Sequence, residues 1–361
     1  MKNKIAFIVP YPIGFAPSQR FRFEQYVSYL KHNNFELDFF PFLSEHDFQL
    51  IYQPSKFLSK LLVTIKGFCK RFFLMFKLSK YEIIFIHREA TPLGPPIFEW
   101  VISKLLKKKI IYDFDDAIWL NNTSETNKII SSVKRHSKVG KICSWSSKVF
   151  CGNHYLKEYA KKFNQQVFYI PTTIDTENLH NQIKKHNDGE IIIGWTGTHT
   201  TARYLKEIES ILIELQKKYK FQVNLICNKD PRISGLEYIF IPWEKESEID
   251  ELIKFDIGLM PLSDNEWTKG KCGFKALQYM ALQIPAIASD VGVNNKIISD
   301  GVNGFLTRNT NDWKEKLEEL INNKELRTQF GIEGRKTIIN SYSVSAIKQN
   351  YLNHFSQLIG Q

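Results

Sequence analysis

Short runs rich in β-branched and aromatic residues alternate with longer helical patterns from one end of this 361-residue chain to the other. Runs at 5–9, 37–40, 83–87, 110–113, 149–152 and 167–170 read as strands, with helical patterns near 20–32, 56–79, 94–107, 126–145 and 154–163. Adjacent parallel strands need a long crossover connection, so alternation at these lengths predicts a parallel sheet built from βαβ units. A polar, turn-rich stretch at 172–189 interrupts the pattern and reads as a linker. Beyond it the alternation restarts. Strands are expected at 191–195, 223–227, 238–241, 257–260 and 286–288, and closing helices near 310–322, 324–339 and 343–358. The chain is therefore expected to be α/β, with two doubly wound, Rossmann-like domains at 1–171 and 190–342 and a final helical segment at 343–361.

An apolar content of 43% against 24% charged residues describes a globular chain, not a disordered one. The five cysteines are odd in number, widely spaced and form no C-x-x-C, which predicts neither a disulfide framework nor a zinc site and fits a reducing cytoplasm. The opening MKNKIAFIVPYPIG has the short apolar run of a first strand, not of a signal peptide, and no apolar run approaches the ~20 residues of a membrane span. Charge is uneven: residues 1–180 carry 26 Lys/Arg against 15 Asp/Glu, while 181–361 carry 23 of each. The first half is thus the one expected to meet an anionic surface. Within it, residues 55–80 hold seven Lys/Arg and no acid. Lys56, Lys60, Lys66, Lys70, Arg71 and Lys77 fall roughly along one helical stripe, and aromatic residues that include Phe72 and Phe73 fill much of the remainder. Such a pattern predicts a helix lying in an anionic membrane surface. The same charge suggests a nucleic-acid binder as an alternative, but its concentration in one aromatic-flanked helix, with no recognised nucleic-acid motif, argues against that partner.

The residues placed to carry chemistry sit mainly in loops after strands. In KGKCGFKALQYMALQIPAIASDVGVNNKIISDGVNGFL (269–306) a glycine-bearing loop feeds a helix beginning near Gly273. The free N–H groups and positive dipole end of a helix N-terminus suit phosphate. Lys271 and Lys275 add full charge around Gly273 and Phe274, and Gln278 lies one turn further in, an arrangement suited to a nucleoside diphosphate with its ribose beyond. Earlier, IIGWTGTHTTARYL (192–205) sets Gly194 and Gly197 between a strand and a helix, where the backbone can approach a phosphate closely, followed by Thr198 and Arg203. YDFDDAIW (112–119) offers Asp113, Asp115 and Asp116 as metal ligands, hydroxyl contacts or caps. Arg20 and Arg22 in PSQRFRFEQY (17–26) are candidates for phosphate on a second substrate, and Trp243 for stacking on a nucleotide base.

MALQIPAIAS (280–289) and DGVNGFL (300–306) resemble the donor-binding segment of retaining family 4 glycosyltransferases of the GT-B fold, the glycosyl transferases group 1. Members of that family carry two glutamates eight positions apart at sites occupied here by Gly270 and Gln278. The resemblance implies that Gln278 holds the ribose, that Thr198 and Arg203 stand where the family has an arginine and a lysine on the pyrophosphate, and that Arg203, Lys271, Lys275 and the amides around Gly197 and Gly273 stabilise the departing diphosphate. It assigns Asp113 or Asp116 to the acceptor, with Arg20 and Arg22 beside it, and leaves no metal site, since DxD metal motifs belong mainly to the other glycosyltransferase fold. Ser-x-Arg-x-Arg, DxDDAIW and IPTTID (170–175) are similar to motifs of bacterial enzymes that assemble surface polysaccharides such as lipopolysaccharide or capsule. The implied activity is metal-independent transfer of a hexose-type sugar from a nucleotide-sugar, UDP favoured over GDP, to a growing lipid-linked glycan with retention of configuration. The enzyme would be cytoplasmic and peripheral on the inner face of the plasma membrane, with its last helix crossing back to the first domain. The alternatives are a GT-B sugar-nucleotide epimerase and a non-catalytic protein that binds the donor or an anionic surface.

Overall fold

The computed structural model describes residues 3–52, 57–121, 135–187 and 189–360. The chain divides into one unit of Met1–Thr172 with Ile347–Gln361 and a second of Thr173–Ala346.

Six parallel strands form the sheet of the first unit: β1 (Asn3–Val9), β2 (Phe35–Pro41), β3 (Ile83–His87), β4 (Lys109–Phe114), β5 (Lys148–Cys151) and β6 (Val167–Tyr169). Their order is β2-β1-β3-β4-β5-β6, so the winding reverses between β1 and β3. Each strand falls on a run expected from the sequence, because strands covered on both faces are continuous apolar segments. The helices depart from expectation more. The pattern at 20–32 is broken into Pro17–Arg20, a 3-10 turn at Glu24–Tyr26 and Val27–His32. The one at 56–79 is Phe57–Met75, preceded by an unexpected helix at Glu45–Tyr52. The one at 94–107 is a single α-turn, Ile97–Trp100, running into a π-turn at Val101–Leu105. Of the pattern at 126–145 only Lys138–Trp145 is helical among the described residues, and residues 126–134 lie outside them, as does Lys56.

Aromatic rings fill the core of this unit. Phe7 lies against Phe23, Phe39 and Phe85 at centroid separations of 4.7–5.4 Å. The helix Val344–Ile359 contributes from Ile347 onward. On it, Tyr351 stacks on Tyr26 at 4.3 Å, and Phe355 reaches Phe7, Phe85 and Phe150. Lys148 locks the helix end by donating to the His354 carbonyl (3.1 Å) and Gln357 Oε1 (2.7 Å).

The second unit holds β7 (Ile191–Gly197), β8 (Phe221–Cys227), β9 (Ile239–Pro242), β10 (Ile257–Met260), β11 (Ala286–Ser289) and β12 (Phe305–Thr307). All pair in parallel in the order β9-β8-β7-β10-β11-β12, the doubly wound Rossmann order, with its reversal between β7 and β10. β12 was not expected: three residues after a glycine turn carry too little pattern to register as a strand. Residues 173–187, within the expected linker, are fastened to this unit. Lys184 N–H donates to the Leu282 carbonyl (2.8 Å), and Lys184 and His186 both reach buried Asp256 at 3.0 Å.

Arg71 corrects one expectation outright. Assigned to a membrane-facing stripe, it is instead 1% exposed, and its guanidinium donates to the carbonyls of Val9 (2.8 Å), Phe40 (2.7 Å) and Ala90 (2.7 Å). One side chain thereby ties the ends of β1 and β2 to the segment after β3. Arg71→Met would remove three hydrogen bonds, each worth ~1 kcal/mol, so urea unfolding of the first unit should show a loss of about 3 kcal/mol. A surface arginine would give a change within about 0.5 kcal/mol.

Candidate active site

Parallel winding delivers every strand's carboxyl end to one edge of its sheet, and ligands of such sheets bind where the winding reverses. In the second unit that point lies between β7 and β10. β7 ends at Gly197, where a Cβ would come within 2.5 Å of the Trp195 ring and 2.7 Å of Thr201 Oγ1, so only glycine fits. The turn beyond closes on itself, with Thr198 N–H donating to Thr201 Oγ1 (3.0 Å) and His199 N–H to Asn228 Oδ1 (2.8 Å).

β10 leads to a capped turn of helix, Glu266–Lys269, in which Asn265 and Thr268 bond each other's backbone. Gly270 follows, and then Gly273 in the left-handed conformation (φ 70°) as the residue before the helix Phe274–Ala281. A side chain at Gly273 would also meet Ile297 Cδ1 at 2.2 Å. Lys271 lies over the Trp267 ring at 5.0 Å, and Lys275, on the first turn, lies over the Trp195 ring at 5.6 Å. Trp195 therefore underlies both the Gly197 turn and Lys275. Tyr279 strengthens the same junction: its hydroxyl accepts from Thr196 N–H (3.1 Å) and donates to the Leu259 carbonyl (3.3 Å), joining β7, β10 and the helix. The structure thus brings Gly197, Thr198, Gly273, Phe274 and Lys275 to one edge, with Lys271 in the loop that feeds it.

Other residues singled out from the sequence are placed differently. Gln278 is 1% exposed, and its amide donates to Glu248 Oε1 (3.2 Å), a buried carboxylate that sequence reasoning missed. Arg203 is exposed, with its guanidinium on the hydroxyl (3.1 Å) and over the ring of Tyr204. Trp243 is half-buried just past β9, and its N–H donates to the Cys227 carbonyl (3.0 Å).

In the first unit the carboxyl edge is dense with charge. Asp113, at the end of β4, is 1% exposed. Arg22 bonds both of its oxygens and also the Ile170 carbonyl, and His87 Nδ1 lies 2.7 Å from Oδ2. Burial raises the Asp113 carboxyl, but Arg22 and then His87 more than offset this and hold it below the usual carboxylate range. Two expectations are corrected here. Asp113 has both oxygens engaged internally and does not face a substrate hydroxyl, and Arg22 spends its charge on Asp113 instead of a phosphate. Arg20 is 8% exposed, its guanidinium over the Phe21 ring.

Asp115 and Asp116 turn to Arg88, at 2.7 and 2.8 Å, and not to a shared metal position. Arg88 adopts a left-handed conformation (φ 59°) and was missed from the sequence, where His87-Arg88-Glu89 at the end of a strand was the available signal. Burial raises the Asp115 carboxyl, but Arg88 more than offsets it and holds it at about 2. A carboxylate depressed on folding stabilises above its unfolded value of ~3.9 and loses that contribution as pH falls toward 2. The urea midpoint of the first unit should therefore fall between about pH 5 and pH 2, and Arg88→Ala should flatten part of that dependence.

Two parallel doubly wound sheets with these strand orders are the GT-B glycosyltransferase fold. Sucrose-phosphate synthase from Thermosynechococcus elongatus matches with a TM-score of 0.73 over 99% of this chain and 100% of that one, at 15% identity. Anabaena HepE, solved in complex with UDP, matches with a TM-score of 0.62 over 99% and 100% at 14% identity. Likeness at such identities shows the fold alone. In sequence, residues 235–337, which include Lys271, Gly273 and Lys275, match the family model of Glycosyl transferases group 1. The uncharacterized glycosyltransferase MJ1178 of Methanocaldococcus jannaschii is 29% identical over 53% of this chain and 54% of its own. The capsular polysaccharide biosynthesis glycosyltransferase CapM of Staphylococcus aureus is 22% identical over 69% and 63%. The chain thus spans little more than half the length of these curated relatives.

Proposed function

We propose that this chain is a glycosyltransferase of the retaining, family 4 type, moving a sugar from a UDP-sugar onto a growing lipid-linked glycan in bacterial surface-polysaccharide assembly. The observation that carries the reading is the left-handed Gly273 opening the helix Phe274–Ala281, flanked by Lys271 and Lys275 at the winding reversal. Helix N–H groups and two ammonium groups there favour the charge that accumulates on a departing diphosphate. The family match over 235–337 supports the donor class, HepE's UDP complex supports the nucleotide, and CapM supports the polysaccharide context.

In the reaction, the bond from the sugar's anomeric carbon to the phosphate oxygen breaks as the acceptor oxygen bonds the same face. The acceptor proton passes to the departing phosphate. Arg203 adds charge to the diphosphate, Trp243 stacks on the base, and Gln278, fixed by Glu248, holds the ribose with it. Asp116 and Arg20 lie on the acceptor side, while Asp113 acts only by positioning His87 and Arg22. No metal is required. Among the described residues no helix is long and apolar enough to cross a membrane.

Thermal unfolding with UDP, GDP and ADP, in EDTA and again in Mg²⁺, tests the donor site. UDP at 100 times its Kd should add ~2.7 kcal/mol, and Lys271→Ala and Lys275→Ala should each reduce the shift. No shift with any nucleotide under either condition would refute the reading. Conversion of the donor's sugar to its epimer with no acceptor present would favour an epimerase instead.

A further inference from the structure

The helix Phe57–Met75 has apolar residues on two faces, and among the described residues only one of them is covered. Val63, Gly67, Arg71 and Leu74 face inward, with the Phe42 ring directly against Gly67, where a Cβ would fall within 2.4 Å of it. On the opposite side Leu58, Leu61, Leu62 and Ile65 are exposed along the first half, and Phe72, Phe73 and Phe76 at the end. At 3.6 residues per turn these seven fall within an arc of roughly 120° that runs the whole ~28 Å of the helix. Leu62, Phe73 and Phe76 are 66%, 63% and 72% exposed. Single exposed apolar side chains are ordinary, but a continuous stripe of seven marks an interaction surface. The helix Ile97–Trp100, joined to it through Phe98 and Phe68 (6.2 Å), adds exposed Ile97 and Trp100.

We infer that this stripe is the face by which the protein lies on an anionic lipid bilayer, with the three phenylalanines and Leu62 in the acyl boundary and lysines at the phosphate level. Charge decides between a bilayer and a second copy of the chain. Lys66, Lys70 and Lys77 run along one border of the stripe, and residues 55–80 contain no acid. The carboxylate near that border, Asp47, already holds Lys66 at 3.1 Å and Lys70 at 3.8 Å. Burial raises the Asp47 carboxyl, but Ser44 and Lys66 more than offset it and keep it at about 2. Two copies packed stripe to stripe would bring two net-positive borders together, since on each a single Asp47 meets a row of three lysines, whereas anionic headgroups accept lysines beside an inserted apolar face. The surface differs from the one expected from the sequence. Arg71 is internal, Lys60 falls on the same side of the helix as Val63 and Gly67, and Lys66 and Lys70 pair with Asp47, so Lys77 adds charge at the border and the aliphatic residues join the aromatic ones in insertion.

This inference does not depend on sugar transfer, and its test is separate from nucleotide binding. The full chain is floated with vesicles of phosphatidylcholine alone or with ~40% phosphatidylglycerol. Binding should be confined to the anionic vesicles and weaken at ~0.5 M salt. A triple variant, Phe72→Ser, Phe73→Ser and Phe76→Ser, should bind at least ~tenfold less while keeping its unfolding midpoint and its UDP shift. Lys77→Glu should weaken binding in the same direction. Flotation of the wild type with neither vesicle, or equal flotation of the triple variant, overturns the inference. So does a wild-type dimer in sedimentation velocity that the triple variant converts to monomer, since the stripe would then be a self-association face.

Discussion

A parallel sheet gathers the carboxyl ends of all its strands at one edge, and this constraint organises both halves of the molecule. Backbone groups past the last ladder bond must be satisfied there by side chains, loops or ligand. The two units meet the demand in opposite ways. In the second, the edge is built of close-packed glycines: Gly197 over the Trp195 ring and Gly273 against Ile297. Close packing there leaves helix amides and lysines as the principal polar groups around Gly273. In the first, the edge is crowded with ions that pair among themselves.

The crowded ions carry none of the net positive charge of the first half, because three basic residues meet four carboxylates. Arg22 is neutralised by Asp113, Arg88 by Asp115 and Asp116, and Lys138 by Glu89 at 2.7 Å. Arg71 hydrogen-bonds three carbonyls and lies over the Phe42 ring. The segment after β3 is held on all sides as a result. Ala90 N–H donates to Glu99 (2.9 Å), the Ala90 carbonyl takes Arg71, the Thr91 carbonyl takes Lys138, and the Arg88 carbonyl takes Tyr112. A loop fixed this firmly is a rigid part of the first unit, not a moving lid.

Eleven of the twelve strands were legible in the sequence because each is a local apolar run, and the Gly273 loop was legible because glycine and lysine beside a helix start have local physical meaning. What escaped was pairing at a distance. Arg22 and Asp113 are 91 residues apart, and Gln278 and Glu248 are 30 apart. No periodicity links such positions, so each looked free to serve a ligand. Arg71 was misread for a related reason: on a helix with apolar residues on two faces, the pattern does not say which face meets the core. The helix at Glu45–Tyr52 and the three residues of β12 were lost to shortness.

Hydrogen–deuterium exchange with and without saturating UDP tests the central claim most directly, because it reports which backbone groups the nucleotide touches. Exchange should slow in the two turns at 196–199 and 271–277, with the first unit unchanged. Protection absent from both turns, or found only in the first unit, would contradict it.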